Sequence, residues 1–230
     1  MRRCAIICGL AIFAAFTAAQ TRAQALPTTP AAPPDMGSQV IDGVAARIDT
    51  DVITESEVRE LGDFQMLVDG ESKGRDQLIE ELSDQWIVRG EAETAHFPHP
   101  SDQDVDNAYA QLVKQFPSQQ AFDQRREQAG LTTDAVRRQL SAQLYLSRFL
   151  DFRFRPAAEV SDGDVQKYYD EEFAPQLKAK GEPVPPLSKV QDTIREVLIQ
   201  RDITSRANQW LDDTRAHLEI DVLPQPGGAQ

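Results

Sequence analysis

The chain has 230 residues, 40% hydrophobic, 7% aromatic and 27% charged, the make-up of a globular protein and not of a disordered or collagenous one. With 24 Lys and Arg against 37 Asp and Glu the formal net charge is -13, which disfavours a sequence-independent grip on nucleic acid or on an anionic membrane.

The opening segment reads as a targeting device. Arg2 and Arg3 precede an uncharged run from Cys4 to Ala19, and Ala23-Gln24-Ala25 supplies a small-x-small cleavage pattern, so residues 1–25 are expected to be a signal peptide. The run is shorter than a membrane-spanning helix needs, and no stable membrane insertion is expected after cleavage. Cys4 and Cys8 leave with it, and with them any disulfide, thiolate metal site or cysteine nucleophile. Pro27, Pro30, Pro33 and Pro34 mark 26–39 as a proline-rich disordered linker, and Pro224, Pro226, Gly227 and Gly228 mark 224–230 as a flexible tail. Between them, 40–223 reads as a single domain, interrupted by a loop around Pro183, Pro185 and Pro186.

Helix starts follow from capping chemistry, since a side-chain oxygen ahead of the first turn satisfies amides that have no intrahelical partner. Thr54 with Glu57 and Ser188 with Gln191 have the capping-box spacing, and Ser101 with Asp104 and Ser161 with Asp164 are acidic variants of it. Ile53 with Val58 and Val160 with Val165 add hydrophobic staples. Ser118, Thr132 and the run from Gly74 to Ala95 bring the expectation to about seven helices. In the last of them the apolar register slips between Leu198 and Ile203, which predicts a bend or a change of neighbours.

Two segments alternate with a period of two instead. Val44, Ala46 and Ile48 lead through Asp49-Thr50-Asp51 into Val52 and Ile53, a small hairpin, and Leu218, Ile220 and Val222 form a half-buried strand near the other end. A lone strand leaves amides unpaired, so the two ends of the domain are expected to meet in one antiparallel sheet.

The wording and order of these segments resemble the SurA family of periplasmic chaperones. Val44 to Val58 resembles the family's opening hairpin and first cap, and Phe122 to Leu150, with Ala129-Gly130-Leu131-Thr132, resembles its helical core. Val160 to Tyr169 is similar to the helix that leads into a prolyl-isomerase domain, and Val190 to Glu196 with Trp210-Leu211 and the last strand to its closing helix. The resemblance implies a mainly α, multi-helix SurA/trigger-factor-like chaperone core, a periplasmic location and unfolded or extended polypeptide clients. It departs from the pattern in one place: only Ala174 to Leu187 stands where the family commonly carries a parvulin isomerase domain, and that stretch has no histidine and no strand pattern.

Side chains able to do chemistry read mostly as structure. His96 and His99 flank Phe97 and Pro98 and read as a helix end stopped by prolines; Glu91 or Glu93 would have to complete a metal site. His217 stands near a helix C-terminus, where a cation complements the dipole. The carboxylate groups Glu80, Glu81, Asp84 and Asp170, Glu171, Glu172 read as solvated helix faces. There is no Gly-x-Ser-x-Gly elbow, Gly-rich phosphate loop or His-Glu-x-x-His, so neither enzyme activity nor a cofactor is expected.

The stretch from Val136 to Phe154 is the most suggestive. Leu140, Leu144, Tyr145, Leu146, Phe149, Leu150, Phe152 and Phe154 spread too widely for one stripe, with Arg137, Arg138, Arg148, Arg153 and Arg155 between them. Two readings fit: a central helix buried on several sides, or a surface that contacts clients. The candidate client-binding residues are Tyr145, Phe149, Phe152 and Phe154, with Phe64, Met66 and Leu67 from the first helix, where methionine adapts to varied partners. The leading expectation is an ATP-independent holdase for unfolded envelope or outer-membrane proteins, acting through an apolar cleft. The alternative is a non-catalytic envelope scaffold with one fixed partner, and a third reading is an isomerase whose site the gap does not reveal.

Overall fold

The computed structural model describes residues 42–225. The expected signal peptide, the proline-rich linker and residues 226–230 of the tail lie outside the described residues.

The hairpin forms as read: β1 (Val44–Ile48) and β2 (Asp51–Thr54) pair antiparallel across a turn in which Asp49 takes a positive φ of 49°. A bulge between Val44 and Ala46 breaks the period of two and turns both Ala45 and Ala46 inward. The last strand, β3 (Ile220–Val222), pairs with the other side of β1, giving the order β2-β1-β3. The ends of the domain therefore meet, as their unpaired amides require. Leu218, expected in that strand, sits outside it: the chain is still turning from the last helix, with Leu218 N–H donating to Arg215 O at 3.2 Å. Val222 is also exposed, so only Ile220 of β3 packs on the core.

Eight α-helices, two of them joined end to end, make up most of the rest of the described residues. They are α1 (Glu55–Val68), α2 (Arg75–Thr94), α3 (Asp102–Lys114), α4 (Gln119–Gln128), α5 (Thr133–Phe154), the pair α6 (Asp162–Tyr168) and α7 (Ala174–Ala179), and α8 (Leu187–Arg215). A π turn over Tyr169–Phe173 joins α6 to α7, just ahead of Pro175, whose missing N–H would break a regular ladder there. Capping boxes close on Thr54, Ser101 and Ser161, and Ser118 and Thr132 accept single cap bonds. The box read at Ser188 with Gln191 does not form. Pro186, extended at φ -63° and ψ 145°, is the N-cap and starts α8 two residues earlier, so Ser188 lies inside the first turn and no side chain caps it.

Three apolar clusters build the body. The first joins the sheet to α1 and α2; the second packs Phe64 and Leu67 of α1 with Leu112, Phe122 and Val136; the third packs Ile87 and Val88 with Tyr145, Phe149 and Leu211 of α8. Helix α5 runs between the second and third and is the central helix. Its arginines radiate as spokes: Arg138 to Glu60 of α1, Arg137 and Arg148 to Asp106 and Asp104 of α3, Arg153 to Glu91 of α2, and Arg155 to Glu196 of α8. The aromatic and arginine interleaving thus resolves into the first of its two readings along most of the helix.

From Ile194 to Ile203 α8 advances about two and a half turns, so these two buried residues face opposite sides. The C-terminal half puts Trp210 and Leu211 into the third cluster with α2 and α5, while the N-terminal half is tied to α6 through Arg195 and Asp162. The register slip is this change of neighbours.

Candidate functional site

The structure separates the seven candidate client contacts into two groups. Phe64, Leu67, Tyr145 and Phe149 are buried in the second and third clusters. Met66 and Phe152 are exposed, the latter at 63%, and Phe154 is half-buried. Met66 stands apart at the end of α1, where Arg125 donates to its carbonyl oxygen at 3.2 Å. Phe152 belongs to an aromatic corner, and Phe154, two residues on and turned to another face of α5, to a pair of its own.

That corner is built by the end of α2. His96 occupies a left-handed position at φ 52°, with its N–H on Glu93 O at 3.0 Å and the N–H of Phe97 on Ala92 O at 2.9 Å, the bonding of a Schellman turn. The turn folds Phe97 back onto α5. Its ring centroid lies 5.4 Å from Phe152, 5.6 Å from Phe149 and 5.9 Å from Tyr145. Tyr145 donates to Phe97 O at 3.4 Å and stacks on His99 at 4.2 Å, and burial pushes its hydroxyl above the ordinary phenol range. His96 and His99 are thus committed to a helix end and a ring stack. Among the described residues no group of three or more His, Cys, Asp or Glu could hold a metal ion.

On the other flank Phe154 meets Trp210 of α8 at 5.9 Å, and the Arg153 guanidinium lies 4.8 Å over the indole while pairing with Glu91 at 3.2 Å. Arg153 is therefore held flat against the surface by the ring and the carboxylate together. Phe97 with Phe152 and Phe154 with Trp210 are thus two aromatic pairs on different faces of the end of α5, and Phe152 is the exposed member. Phe97 and Trp210 went unnamed as candidates. Phe97 was hidden by its prolines, and Trp210 reads as ordinary core spacing on a long helix.

A second feature is a cleft of about 630 Å³ bounded by β2, the start of α1, and the facing sides of α2 and α5. Val52, Leu82, Trp86 and Ala142 give it apolar walls, and Asp42, Glu57, Arg89 and Arg138 give it charge. Trp86 donates to Asp51 at 2.9 Å, which fixes the indole beside β2. Ten residues of α5, about 15 Å, separate Ala142 in this cleft from Phe152 at the aromatic corner.

Taken together these features define a mainly α body, closed by a three-stranded antiparallel sheet and bearing exposed aromatic side chains and a cleft of mixed polar and apolar lining, not the apolar cleft expected from the sequence. The chain is 27% identical over 194 residues to Chaperone SurA of Ralstonia nicotianae, an alignment covering 71% of this chain and 39% of that protein. The likeness supports a SurA-like relationship, and the chain spans about two fifths of that relative's length. No family model matches the chain. No helix among the described residues is long and apolar enough to cross a membrane.

Proposed function

We propose that the protein is an ATP-independent holdase that keeps unfolded envelope or outer-membrane proteins from aggregating in the periplasm, its leader having been removed on export. The observation that carries this reading is Phe152, exposed at 63% and backed by Phe97, a place where a client's apolar side chain exchanges water for aromatic surface. The likeness to a protein named Chaperone SurA points the same way. Of the client contacts read from the sequence, Phe152, Phe154 and Met66 meet the client; Tyr145 and Phe149 back the aromatic side chains, and Phe64 and Leu67 are core of the second cluster.

Burial yields roughly 25 cal/mol per Å², and ordering a floppy client offsets most of it, which leaves micromolar affinity, about -8 kcal/mol. Release comes from the client's own folding or its transfer downstream. The acidic exterior keeps loaded complexes dispersed.

The test is suppression of aggregation of several unrelated unfolded proteins at equimolar amounts. The purified protein should delay all of them, and Phe152→Ala should at least halve the delay while changing stability by no more than about 0.5 kcal/mol, since the side chain is mostly in water. Failure of the unaltered protein to delay any client overturns the reading, and delay of one partner alone favours a dedicated scaffold.

A further inference from the structure

The sheet register fixes which backbone groups of β2 look outward. Asp49 N–H donates to Glu219 O at 3.2 Å and Leu223 N–H to Ala45 O at 2.9 Å, so the odd-numbered residues of β1 address β3. Ala46 and Ile48 therefore address β2, opposite Ile53 and Asp51. Val52, between those two, turns both its N–H and its C=O away from the sheet, and its side chain is 50% exposed. The next outward amide, that of Thr54, is taken by Glu57 at 2.8 Å. β2 is short and begins with Asp51, but among the described residues no lysine, proline or covering segment closes its edge, which borders the 630 Å³ cleft.

We propose that this edge is a docking site for a short extended polypeptide segment that adds to the sheet as a strand antiparallel to β2. A pair of outward N–H and C=O groups on one residue matches a single residue of an antiparallel partner, which exchanges both hydrogen bonds with it. The charges at the two ends of the cleft set the direction. Helix α2 runs antiparallel to β2, since Arg75 near its start pairs with Glu55 at 2.5 Å and Trp86 reaches Asp51. Arg89 therefore lies beyond the Asp51 end, where the Asp51 carboxylate is taken by Trp86, and Asp42 and Glu57 lie at the Thr54 end, where Arg138 is paired with Glu60. An antiparallel segment places its N-terminal side by the two carboxylates and its C-terminal side by the guanidinium. The occupant is thus basic, then β-branched or apolar over Val52, Leu82 and Trp86, then acidic. This site is separate from the aromatic corner and stands whether or not the holdase reading does.

The probe is a short dye-labelled peptide with lysine at its N-terminal side, valine and threonine in the middle and glutamate at its C-terminal side. Two controls accompany it, one with the terminal charges exchanged and one N-methylated at alternate central amides. Fluorescence anisotropy with the purified full chain should show binding that weakens about tenfold on N-methylation, equivalent to about 1.4 kcal/mol, and that weakens also on charge exchange. Saturating peptide should slow hydrogen exchange at the Val52 amide. Val52→Pro removes only an outward donor, a change edge strands tolerate, and should weaken binding about tenfold, whereas Val52→Thr should not. Equal affinity for the methylated peptide, or an unprotected Val52 amide at saturation, overturns the proposal. So does Val52 protection that grows with protein concentration in the absence of peptide, which would assign the edge to a second copy of the chain. Failure of the aggregation assay leaves this readout untouched.

Discussion

The body and the arm of this protein are held together by different forces. The body, made of the sheet, α1 to α5 and the C-terminal half of α8, draws on three apolar clusters assembled from segments far apart in sequence. The arm, made of α6, α7 and the N-terminal half of α8, buries Val165, Ala174 and Ile194, which belong to none of those clusters. It relies instead on polar ties: Arg195 to Asp162 at 2.5 Å, Arg201 to Glu172 at 3.0 Å and over the Tyr168 ring at 4.7 Å, and Tyr169 donating to Pro185 O at 2.8 Å. Exposed ion pairs contribute little each. The arm should therefore open as a local unit while the body unfolds as one.

The largest effects divide along that line. Phe122 is fully buried and meets Tyr109 and Phe116 edge-on at 5.5 and 5.2 Å. Phe122→Ala should cost about 3–5 kcal/mol in denaturant unfolding and raise hydrogen exchange throughout the body. Ile194→Ala removes the arm's contact on α8 and should cost about 2–4 kcal/mol locally, with faster exchange confined to 162–200 and new proteolysis between Gly181 and Pro186. If Ile194→Ala loosens the body equally, arm and body are one cooperative unit.

The two regions also differ in how far the sequence alone disclosed them. The body's helices were legible because Thr54, Ser101, Ser118 and Thr132 announce their starts through side chains that bond locally. The meeting of the chain ends was legible because lone strands demand a partner. In the arm, the Ser188 box failed because a preceding proline fixed the backbone first, and the α7 rod was missed because a π turn carries the helix past Pro175. The candidate contacts were legible only as a mixture. Tyr145 and Phe149 lie in the same helix as Phe152 and share its composition, and only the returning Phe97 and α8 decide which faces are covered.

The pH response should sharpen the contrast. At the arm end of α8 the Arg155 guanidinium holds Glu196 at about 2 and Asp151 below the usual carboxylate range, so neither changes charge near neutrality. Where α8 rejoins the body, Arg215 meets Glu80 at 2.7 Å, Asp212 at 2.9 Å and Asp84 at 2.9 Å. The contact with Asp84 is off the hydrogen-bond axis, and neither atom finds another partner. Burial, opposed by Arg215 and reinforced by Glu80, Asp212 and Glu81, pushes Asp84 up to about 6. Its folded pKa exceeds the unfolded value of 3.8, so the folded state binds the extra proton, and the stabilisation is complete below 3.8 and lost as pH rises through 6. At 1.36 kcal/mol per unit, and with water reaching part of the side chain, this amounts to about 2 kcal/mol. Stability should therefore increase from pH 7.5 to pH 5, and Asp84→Asn should flatten that slope. An unchanged slope in Asp84→Asn would assign the response elsewhere, with the partly buried Asp63, also pushed upward, as the next group to test.

The smallest effect concerns how each region ends a helix. The arm closes α7 with Gly181 at φ 72°, its N–H on Lys178 O at 3.1 Å and that of Glu182 on Leu177 O at 2.9 Å. The body closes α2 with the same bonding but places His96 in the left-handed position. A side chain there costs about 1–2 kcal/mol, and glycine gives back about 0.5–1 kcal/mol through its freer unfolded chain. His96→Gly should therefore stabilise the body by about 0.5–1 kcal/mol, raising the thermal midpoint by about 2 °C, and Gly181→Ala should destabilise the arm by a similar amount. The aromatic corner gives the first substitution a second readout. The His96 ring is not part of the Phe97, Phe152 and Tyr145 packing, so a better turn should leave client binding intact, whereas a loss of stability on His96→Gly would show that the imidazole, with its Nδ1 at 3.1 Å from Thr94 O, holds the turn that presents Phe97.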